Sequence, residues 1–285
     1  MGALDTDTAV ERLGDGTFRA ELSRDWEIWG PNGGYLAVIA LRAAGAHTAL
    51  RRPVSFTAHF LGVAEFGPVT LAVRPVRETR RVASLAVSMT QGDRPILEAL
   101  VWVVDGSDGL EHDAWTMPEV APPRELPTSV ELMRDVGLPP FRFWDNLECR
   151  PLRWVVDWEH RPPGDFRELS WYRYTPTATF ADPFVDAGRA LLLLDTLFWP
   201  AASRGHPENQ EWYAPSVDIQ ARFHSLEPMS EYLLVDAHSP VARDGLVGGA
   251  GAIWSESGVL LATGGQQMLC RPVHLNPNPP APPSE

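Results

Sequence analysis

The sequence contains no lysine, so all 24 of its basic residues are arginines. An enzyme that forms a Schiff base with its substrate needs a lysine, and so does the Walker A phosphate loop. Both kinds of site are therefore excluded. The formal net charge of −13 also argues against nucleic acid as a partner, because binding to phosphates depends on clustered positive charge.

Other common signals are missing as well. The chain has no GxSxG, HExxH or CxxC motif, and these are the strongest signs of α/β-hydrolases, zinc proteases and cysteine-ligated metal sites. The eight histidines are scattered singly, which is more typical of surface or core positions than of metal ligands. We therefore expect no metal and no organic cofactor.

Long apolar runs are absent too. Nowhere do ~18 apolar residues follow one another, and the first twenty residues carry acids without a continuous apolar stretch. We therefore expect a cytoplasmic protein with no signal peptide and no membrane insertion. The two cysteines, Cys149 and Cys270, are expected to be reduced and to have no role.

The clearest positive feature is an internal repeat. VSFTAHF begins at Val54 and VDIQARF begins at Val217, an offset of 217 − 54 = 163 residues. With the same offset, SMTQGDRPILEALVWV from Ser88 falls on GAIWSESGVLLATGGQ from Gly251, so that the turn residues coincide. Such self-similarity predicts two copies of one structural unit.

Each copy predicts the same elements. An apolar helix led by glycine comes first, GGYLAVIALRAAGAH from Gly33 or GRALLLLDTLFWPAAS from Gly188, and segments rich in β-branched residues follow as antiparallel strands. The sequence thus predicts an α+β chain with these parts: an N-terminal domain over 1–105, a linker with one short helix at SVELMRDVG over 106–140, a C-terminal domain over 141–275, and a disordered proline-rich tail over 276–285.

The helix led by glycine, the SFTAHFL strand and the long hairpins that follow resemble a hotdog fold. The duplicated form resembles the acyl-CoA thioesterase II family, whose members carry two hotdog domains in one chain. The resemblance covers roughly residues 20 to 105 and 146 to 273. It implies a double hotdog, in which two antiparallel sheets each wrap a central helix and pair within one chain, and it implies hydrolysis of acyl-CoA.

The resemblance also implies the catalytic residues. Asp195 in LLLLDTLFWP matches the family's helix aspartate, Ser216 in APSVDIQARFH its hydroxyl, and Gln266 in LLATGGQQMLCRP its glutamine. In this interpretation Asp195 is the general base, and the other two hold the water and the carboxylate. The alternatives are direct attack by Asp195, and Gln267 as the functional amide, since neighbouring strand residues face opposite sides.

The repeat favours a functional interpretation independently of the family. A buried carboxylate without partners costs several kcal/mol, so Asp195 needs hydrogen bonds in such an apolar run. All three polar residues have apolar counterparts in the first copy: Pro53 and Val103 for Ser216 and Gln266 at the offset of 163, and Leu41 for Asp195 when Gly188 is aligned on Gly34. Because polar residues needed for the fold would be expected in both copies, we expect one active site.

The start of the first helix is the candidate oxyanion site. Asn32, Gly33 and Gly34 open that helix, where free backbone N–H groups face outward. The alternative is a plain tight turn, and family members often have histidine where Asn32 stands. Candidates for an acyl pocket are the aromatic residues Trp26, Trp29, Phe198 and Trp199, with packing in the core as the alternative. Candidates for the phosphates of coenzyme A are Arg80, Arg81 and Arg271, with a solvated surface position as the alternative.

Two other functions stay open. A hydratase or dehydratase on the same fold usually needs a histidine beside an acid, and no histidine lies near Asp195 or Gln266 in sequence. A non-catalytic protein that binds acyl thioesters would show no turnover. The sequence also leaves open the acyl chain, coenzyme A against a carrier protein, and a homo-oligomer through exposed strand edges.

Overall fold

A computed structural model of the chain describes residues 1–134, 141–154, 164–206 and 211–276. These residues form a twelve-stranded antiparallel sheet, a separate two-stranded sheet and two long helices. The strands are β1 (Glu11–Gly14), β2 (Thr17–Leu22), β3 (Arg52–Phe60), β4 (Gly67–Glu78), β5 (Val82–Gln91), β6 (Arg94–Val104), β7 (Leu147–Pro151), β8 (Arg167–Tyr174), β9 (Trp212–Tyr213), β10 (Asp218–Phe223), β11 (Tyr232–Arg243), β12 (Leu246–Ser255), β13 (Leu260–Leu269) and β14 (Arg271–Pro272). The α-helices are α1 (Leu4–Asp7), α2 (Gly33–His47), α3 (Ser129–Leu132) and α4 (Pro183–Arg204), and short 3-10 turns lie at Arg24–Trp26, Pro123–Glu125, Arg142–Asn146 and Val273–Leu275.

The large sheet is symmetric in its strand order, β1-β2-β4-β5-β6-β3-β10-β13-β12-β11-β8-β7. Its centre is the antiparallel pair of β3 and β10, in which Thr57 lies opposite Gln220. These two residues are separated by 220 − 57 = 163 positions, the offset of the sequence repeat. A pseudo-twofold axis therefore passes between them and relates the two halves of the chain.

The sequence predicted two antiparallel sheets paired within one chain. The two halves do pair, through the edges of β3 and β10, and the correction concerns only the number of sheets, because this pairing joins the halves into one continuous sheet. The physical reason is that each half alone would leave the N–H and C=O groups of this strand unpaired, and the pairing satisfies both edges at once.

The helices α2 and α4 form the centre of the core. They pack against each other and against strands of the large sheet, and ten of the 15 residues of α2 and 18 of the 22 residues of α4 are buried. A helix that is apolar on nearly all sides is stable only inside a core. The strands show the alternation expected of a sheet with one covered face, since Ala99, Val101 and Val103 of β6 are buried and Leu100 and Trp102 are exposed.

The second long helix begins earlier than its sequence pattern predicted. It starts at Pro183, five residues before Gly188, after Asp182, whose side chain accepts a hydrogen bond from the Phe184 N–H at 2.8 Å. Proline is favoured at the first helical position because its missing N–H has no partner there anyway. With Gly34 aligned on Gly188, α4 extends about one turn further at its start than α2 does.

The two glycines mark the crossing of the helices. A Cβ atom on Gly34 would lie 2.8 Å from Leu192 Cα, and a Cβ atom on Gly188 would lie 2.8 Å from Val38 Cγ1. These contacts are equivalent, because 192 − 38 and 188 − 34 both equal 154. Glycine is needed at Gly34 in particular, because the neighbouring atom there belongs to the backbone and cannot rotate away.

The segment predicted as a linker contacts the outer face of the second half. Met117, Val120 and Leu126 pack against a small apolar cluster on that face, and α3 has a capping box between Thr128 and Glu131. This helix is shorter than predicted in its described part. The end of the linker (135–140), residues 155–163 and 207–210 of the C-terminal domain and the tail from 277 lie outside the described residues.

Two smaller expectations concern the cysteines and the membrane. Cys149 and Cys270 are both free thiols, as expected. None of the helices in the described ranges is long and apolar enough to span a bilayer.

The helix crossing leads to a test of stability. We expect Gly34→Ala to lower the free energy of unfolding by about 1–3 kcal/mol, because the added methyl group must push the helices apart. The control is Gly14→Ala, where no atom lies within 4 Å of the added Cβ and a change within ~0.5 kcal/mol is expected. Denaturant unfolding measures both. Wild-type stability in Gly34→Ala would contradict the close approach.

Candidate active site

Asp195 lies in the middle of α4, and its carboxylate faces the first turn of α2. The side chain is buried, and two donors reach it: the Gly34 N–H donates to Oδ2 at 2.6 Å, and the Ser216 hydroxyl donates to Oδ1 at 2.9 Å. The aspartate of the apolar run therefore has a hydrogen bond on each oxygen. Its burial is tolerated because these donors replace part of its hydration.

Gln266 on β13 is the third polar residue of the cluster. Its Oε1 lies 3.4 Å from the Ser216 hydroxyl, and its amide Nε2 donates to the main-chain carbonyl oxygen of Asp195 at 2.9 Å. The structure thus brings together the three residues that the sequence singled out. One detail was wrong: the amide donates to the main-chain carbonyl oxygen of Asp195 and not to its carboxylate, whose two oxygens accept hydrogen bonds from the Gly34 N–H and the Ser216 hydroxyl.

The choice between the two neighbouring glutamines follows from the strand. Gln266 is 4% exposed and points toward α4, whereas Gln267 is exposed on the opposite face. Adjacent residues of a strand face opposite sides. Gln266 is therefore the amide that reaches Asp195.

The first turn of α2 differs from its expected arrangement. Asn32 is the N-cap, since its Oδ1 accepts a hydrogen bond from the Tyr35 N–H at 2.9 Å, and its Nδ2 donates to Thr196 Oγ1 at 3.3 Å. The Gly34 N–H was a candidate donor for the substrate oxyanion, but Asp195 already accepts it. The Gly33 N–H has no acceptor within the described residues, so it is the backbone donor left for a ligand.

The glycines of this turn are explained by the carboxylate. A Cβ atom on Gly33 would lie 2.9 Å from Asp195 Oδ2 and 3.2 Å from Phe60 Cζ. Only a residue without a side chain allows the helix start to approach the carboxylate so closely. The interpretation as a plain tight turn is therefore insufficient.

Opposing effects set the proton affinity of Asp195. The pKa of this carboxyl is raised to about 6, because burial raises it by more than the hydrogen bonds from Ser216 and the Gly34 N–H lower it. The positive end of the α2 dipole also favours the charged form. The result is a carboxylate that is ionised at neutral pH and more basic than an exposed aspartate.

Asp195 opens into a cavity of about 580 Å³, which Asn32, Gly33, Thr196 and Ser216 also line. Among the residues that the structure describes, six aromatic side chains form much of the wall: Trp29, Phe60, Phe141, Trp144, Trp199 and Tyr213. Sequence reasoning found only two of them. Phe141 and Trp144 come from a distant part of the chain and gave no signal, whereas Tyr213 lies three residues before Ser216 and Thr196 follows Asp195 directly, so proximity to the motifs was a usable signal.

Two of the predicted pocket aromatics do not line the cavity. Trp26 stacks on Tyr35 at 5.5 Å in the core. Phe198 is fully buried beneath β12, where a Cβ atom on Gly249 would lie 2.3 Å from its ring. Both side chains therefore belong to the core and not to the cavity wall.

The predicted arginines also separate. Arg271 lines the cavity, whereas Arg80 and Arg81 lie in the exposed turn between β4 and β5 and do not.

Among the described residues, no group of three or more His, Cys, Asp and Glu side chains is arranged to hold a metal ion.

The equivalent place in the other half is a packed core. Leu41, the counterpart of Asp195, is fully buried, and the counterpart of Asn32 is Asp186, which forms a buried ion pair with Arg189. Because α4 starts one turn earlier than α2, its N–H groups at this position lie inside the helix and are bonded there. The described structure therefore has one such constellation, at the start of α2.

Comparison with known families decides the affiliation. The model of the acyl-CoA thioesterase N-terminal domain matches residues 22–104, and that of the acyl-CoA thioesterase C-terminal domain matches residues 111–270. The chain belongs to the acyl-CoA thioesterase family. This membership supports thioester hydrolysis as the general activity.

Solved structures show that the chain has a hotdog fold. A hotdog-fold protein of unknown function from Alicyclobacillus acidocaldarius is 23% identical with a TM-score of 0.80, covering 95% of this chain and 98% of that one. Acyl-CoA thioesterase II TesB2 from Mycobacterium marinum is 21% identical (TM-score 0.78, 95% and 98%), and the TesB protein of Mycobacterium avium subspecies paratuberculosis is 22% identical (TM-score 0.76, 94% and 98%). No curated protein matches the sequence.

The raised pKa of Asp195 leads to a prediction about stability. Since the pKa is about 6 in the folded protein and roughly 3.9 in the unfolded chain, the folded state binds this proton more tightly. The wild type therefore loses stability as the pH rises from about 4 to 6. Asp195→Asn avoids this loss, because asparagine still accepts the Gly34 N–H and carries no charge.

We expect Asp195→Asn to be more stable than the wild type at pH 8 by about 2–3 kcal/mol, with a difference that disappears below about pH 4. Denaturant unfolding at both pH values measures it. Asp93→Asn, in the exposed turn before β6, is the control and should change stability by less than ~0.5 kcal/mol. Equal destabilisation of Asp195→Asn at both pH values would show that burial does not disfavour the charge.

Proposed function

We propose that this protein hydrolyses acyl-CoA at a single active site, with a water molecule activated by Asp195. The observation that carries this proposal is the convergence of a buried carboxylate, a hydroxyl and a helix N-terminus on one apolar cavity. We further propose that each half of the chain is one hotdog domain, with limits at 1–105 and 141–275, and that the protein is cytoplasmic.

The chemistry begins with a water molecule on the cavity side of Asp195. The carboxylate accepts a proton from this water as its oxygen attacks the thioester carbonyl carbon. Collapse of the tetrahedral intermediate breaks the C–S bond, and the thiolate of coenzyme A leaves with the proton that Asp195 returns. A base with a pKa of about 6 suits this task, because it is mostly ionised at neutral pH and still accepts a proton.

The remaining polar groups stabilise charge or hold the base. The Gly33 N–H is the donor for the oxyanion, at the positive end of α2. Ser216 lines the cavity and orients both the carboxylate and the water, whereas Gln266 does not line it and positions Asp195 through its main-chain carbonyl. Thr196 positions Asn32, because its hydroxyl oxygen accepts a hydrogen bond from the Asn32 side-chain amide.

The alternatives receive less support from the site. In the described part of the chain no histidine lines the cavity, which disfavours a hydratase or dehydratase. A protein that only binds thioesters has no need of a basic carboxylate. Attack by Asp195 itself would use the same residues and remains the alternative route to hydrolysis.

The proposal predicts the effect of removing the base. Asp195→Asn should lower kcat for thiol release from acyl-CoA by at least ~100-fold. In the wild type, kcat/KM should fall below an apparent pKa near 6, because protonation of the carboxyl removes the base. Thiol release followed across pH 4–9 measures both effects.

Asp93→Asn is the matched control and should keep the activity and pH profile of the wild type. Full activity of Asp195→Asn would remove this residue from the mechanism. Hydration of enoyl-CoA without release of thiol would favour the hydratase, and binding of acyl-CoA without turnover of either substrate would favour the non-catalytic function.

Arg271 is the residue we propose for the phosphates of coenzyme A. Arg271→Ala should raise KM for acyl-CoA by about 5- to 20-fold and leave KM for the matching acyl-pantetheine unchanged, because only the former carries the nucleotide phosphates. Arg81→Ala, in the turn between β4 and β5, is the control and should change neither. An equal rise for both substrates would place Arg271 beside the pantetheine arm instead.

A further inference from the structure

The walls of the active-site cavity are unusually rich in aromatic rings. Of the 25 described residues that line the cavity, six are aromatic, which is 24% against 9% in the whole chain. The rings are contributed by separate parts of the chain: Trp29 before α2, Phe60 at the end of β3, Phe141 before and Trp144 within the 3-10 turn Arg142–Asn146, Trp199 on α4 and Tyr213 on β9. The sequence shows no such cluster, because tertiary packing assembles it.

Three of these rings form a continuous arrangement. Trp29 contacts Phe141 edge to face, with ring centroids 6.5 Å apart and planes at 85°, and it contacts Tyr213 in the same way at 5.5 Å and 88°. The orientation of Tyr213 is held by its hydroxyl, which donates to the Leu275 carbonyl at 3.2 Å. The wall is therefore a set of oriented rings rather than a generic apolar surface.

The rings begin next to the reacting groups. Trp199 lies one helical turn after Asp195, Tyr213 lies three residues before Ser216, and Phe60 approaches Gly33. A ligand group bound among them is thus close to the thioester carbonyl. The pantetheine arm carries two amide groups that need hydrogen-bond partners, so the acyl group suits this wall better than the arm does.

We propose that the preferred acyl group is itself aromatic, an aryl or arylalkyl group whose ring is close to the thioester carbonyl. This inference rests on the proposed function. Aromatic rings prefer edge-to-face and offset contacts with other rings, and a saturated group of the same size gains no such preference. A rigid ring also loses less rotational freedom on binding than a flexible alkyl chain does.

The test compares three substrates with the same number of acyl carbons: phenylacetyl-CoA, cyclohexylacetyl-CoA and octanoyl-CoA. We expect kcat/KM for phenylacetyl-CoA to exceed that for cyclohexylacetyl-CoA by about 3- to 10-fold, as one or two ring contacts would give. Octanoyl-CoA should be no better than cyclohexylacetyl-CoA. A preference for either aliphatic substrate, or equal rates for all three, would overturn the inference.

Binding to Asp195→Asn separates this inference from the proposed function. If none of the substrates is hydrolysed by the wild type but phenylacetyl-CoA binds the variant more tightly than cyclohexylacetyl-CoA does, hydrolysis fails and the aromatic preference stands. If the wild type hydrolyses all three substrates at equal rates and the variant binds them equally, the proposed hydrolysis stands and the aromatic preference fails. Calorimetric titration measures the binding.

Variants of the ring wall show where a preference arises. Trp29→Leu should reduce the ratio of phenylacetyl to cyclohexylacetyl turnover to about 1, and Trp29→Phe should retain most of it. If Trp29→Leu does not fold, the same ratio is measured for Phe141→Leu. Trp102→Leu is the matched control, because Trp102 lies on the outer face of β6, away from the cavity. An unchanged ratio in both leucine variants of the wall would overturn the inference.

Discussion

The close approach of α2 and α4 at Gly34 is the contact on which the candidate site depends. Because Gly34 has no side chain, the backbone of Leu192 lies against it, and the next turn of α4 brings Asp195 within 2.6 Å of the Gly34 N–H. The carboxylate thereby caps the helix of the other half. Its pKa near 6 follows from the same contact, since burial disfavours the charge and the cap restores part of its stabilisation.

The duplication explains why such a site can exist once in a nearly symmetric molecule. The sheet keeps the pseudo-twofold relation at its centre, where Thr57 pairs with Gln220. The helices break it, because α4 starts a turn earlier and carries an ion pair where α2 has its open N-terminus. One side of the helix crossing can then accommodate a carboxylate that burial disfavours, while the other side, with Leu41, contributes to the core alone.

The errors of sequence reasoning have a common physical cause. Gln266 was correctly placed beside Asp195, yet the atom that it binds depends on the rotation of α4, which no pattern reveals. Phe198 and Trp199 are adjacent in the chain, and only the second reaches the cavity, because the absence of side chains at glycines of β12 leaves room for the Phe198 ring. Helix periodicity predicts which face is apolar, but not whether that face meets a sheet or a cavity.

The sequence by itself determined the strands, the two long helices and the repeat that relates them, because the alternation and spacing of apolar residues follow directly from which faces are covered. The apolar run around Asp195 marked this residue, and the resemblance to the family pointed to Asp195, Ser216 and Gln266 together. Only the tertiary structure decided that the Gly34 N–H is taken by Asp195 and that aromatic residues from distant segments share one cavity. These features depend on contacts between residues far apart in the chain, where side-chain directions are set by packing and not by local pattern.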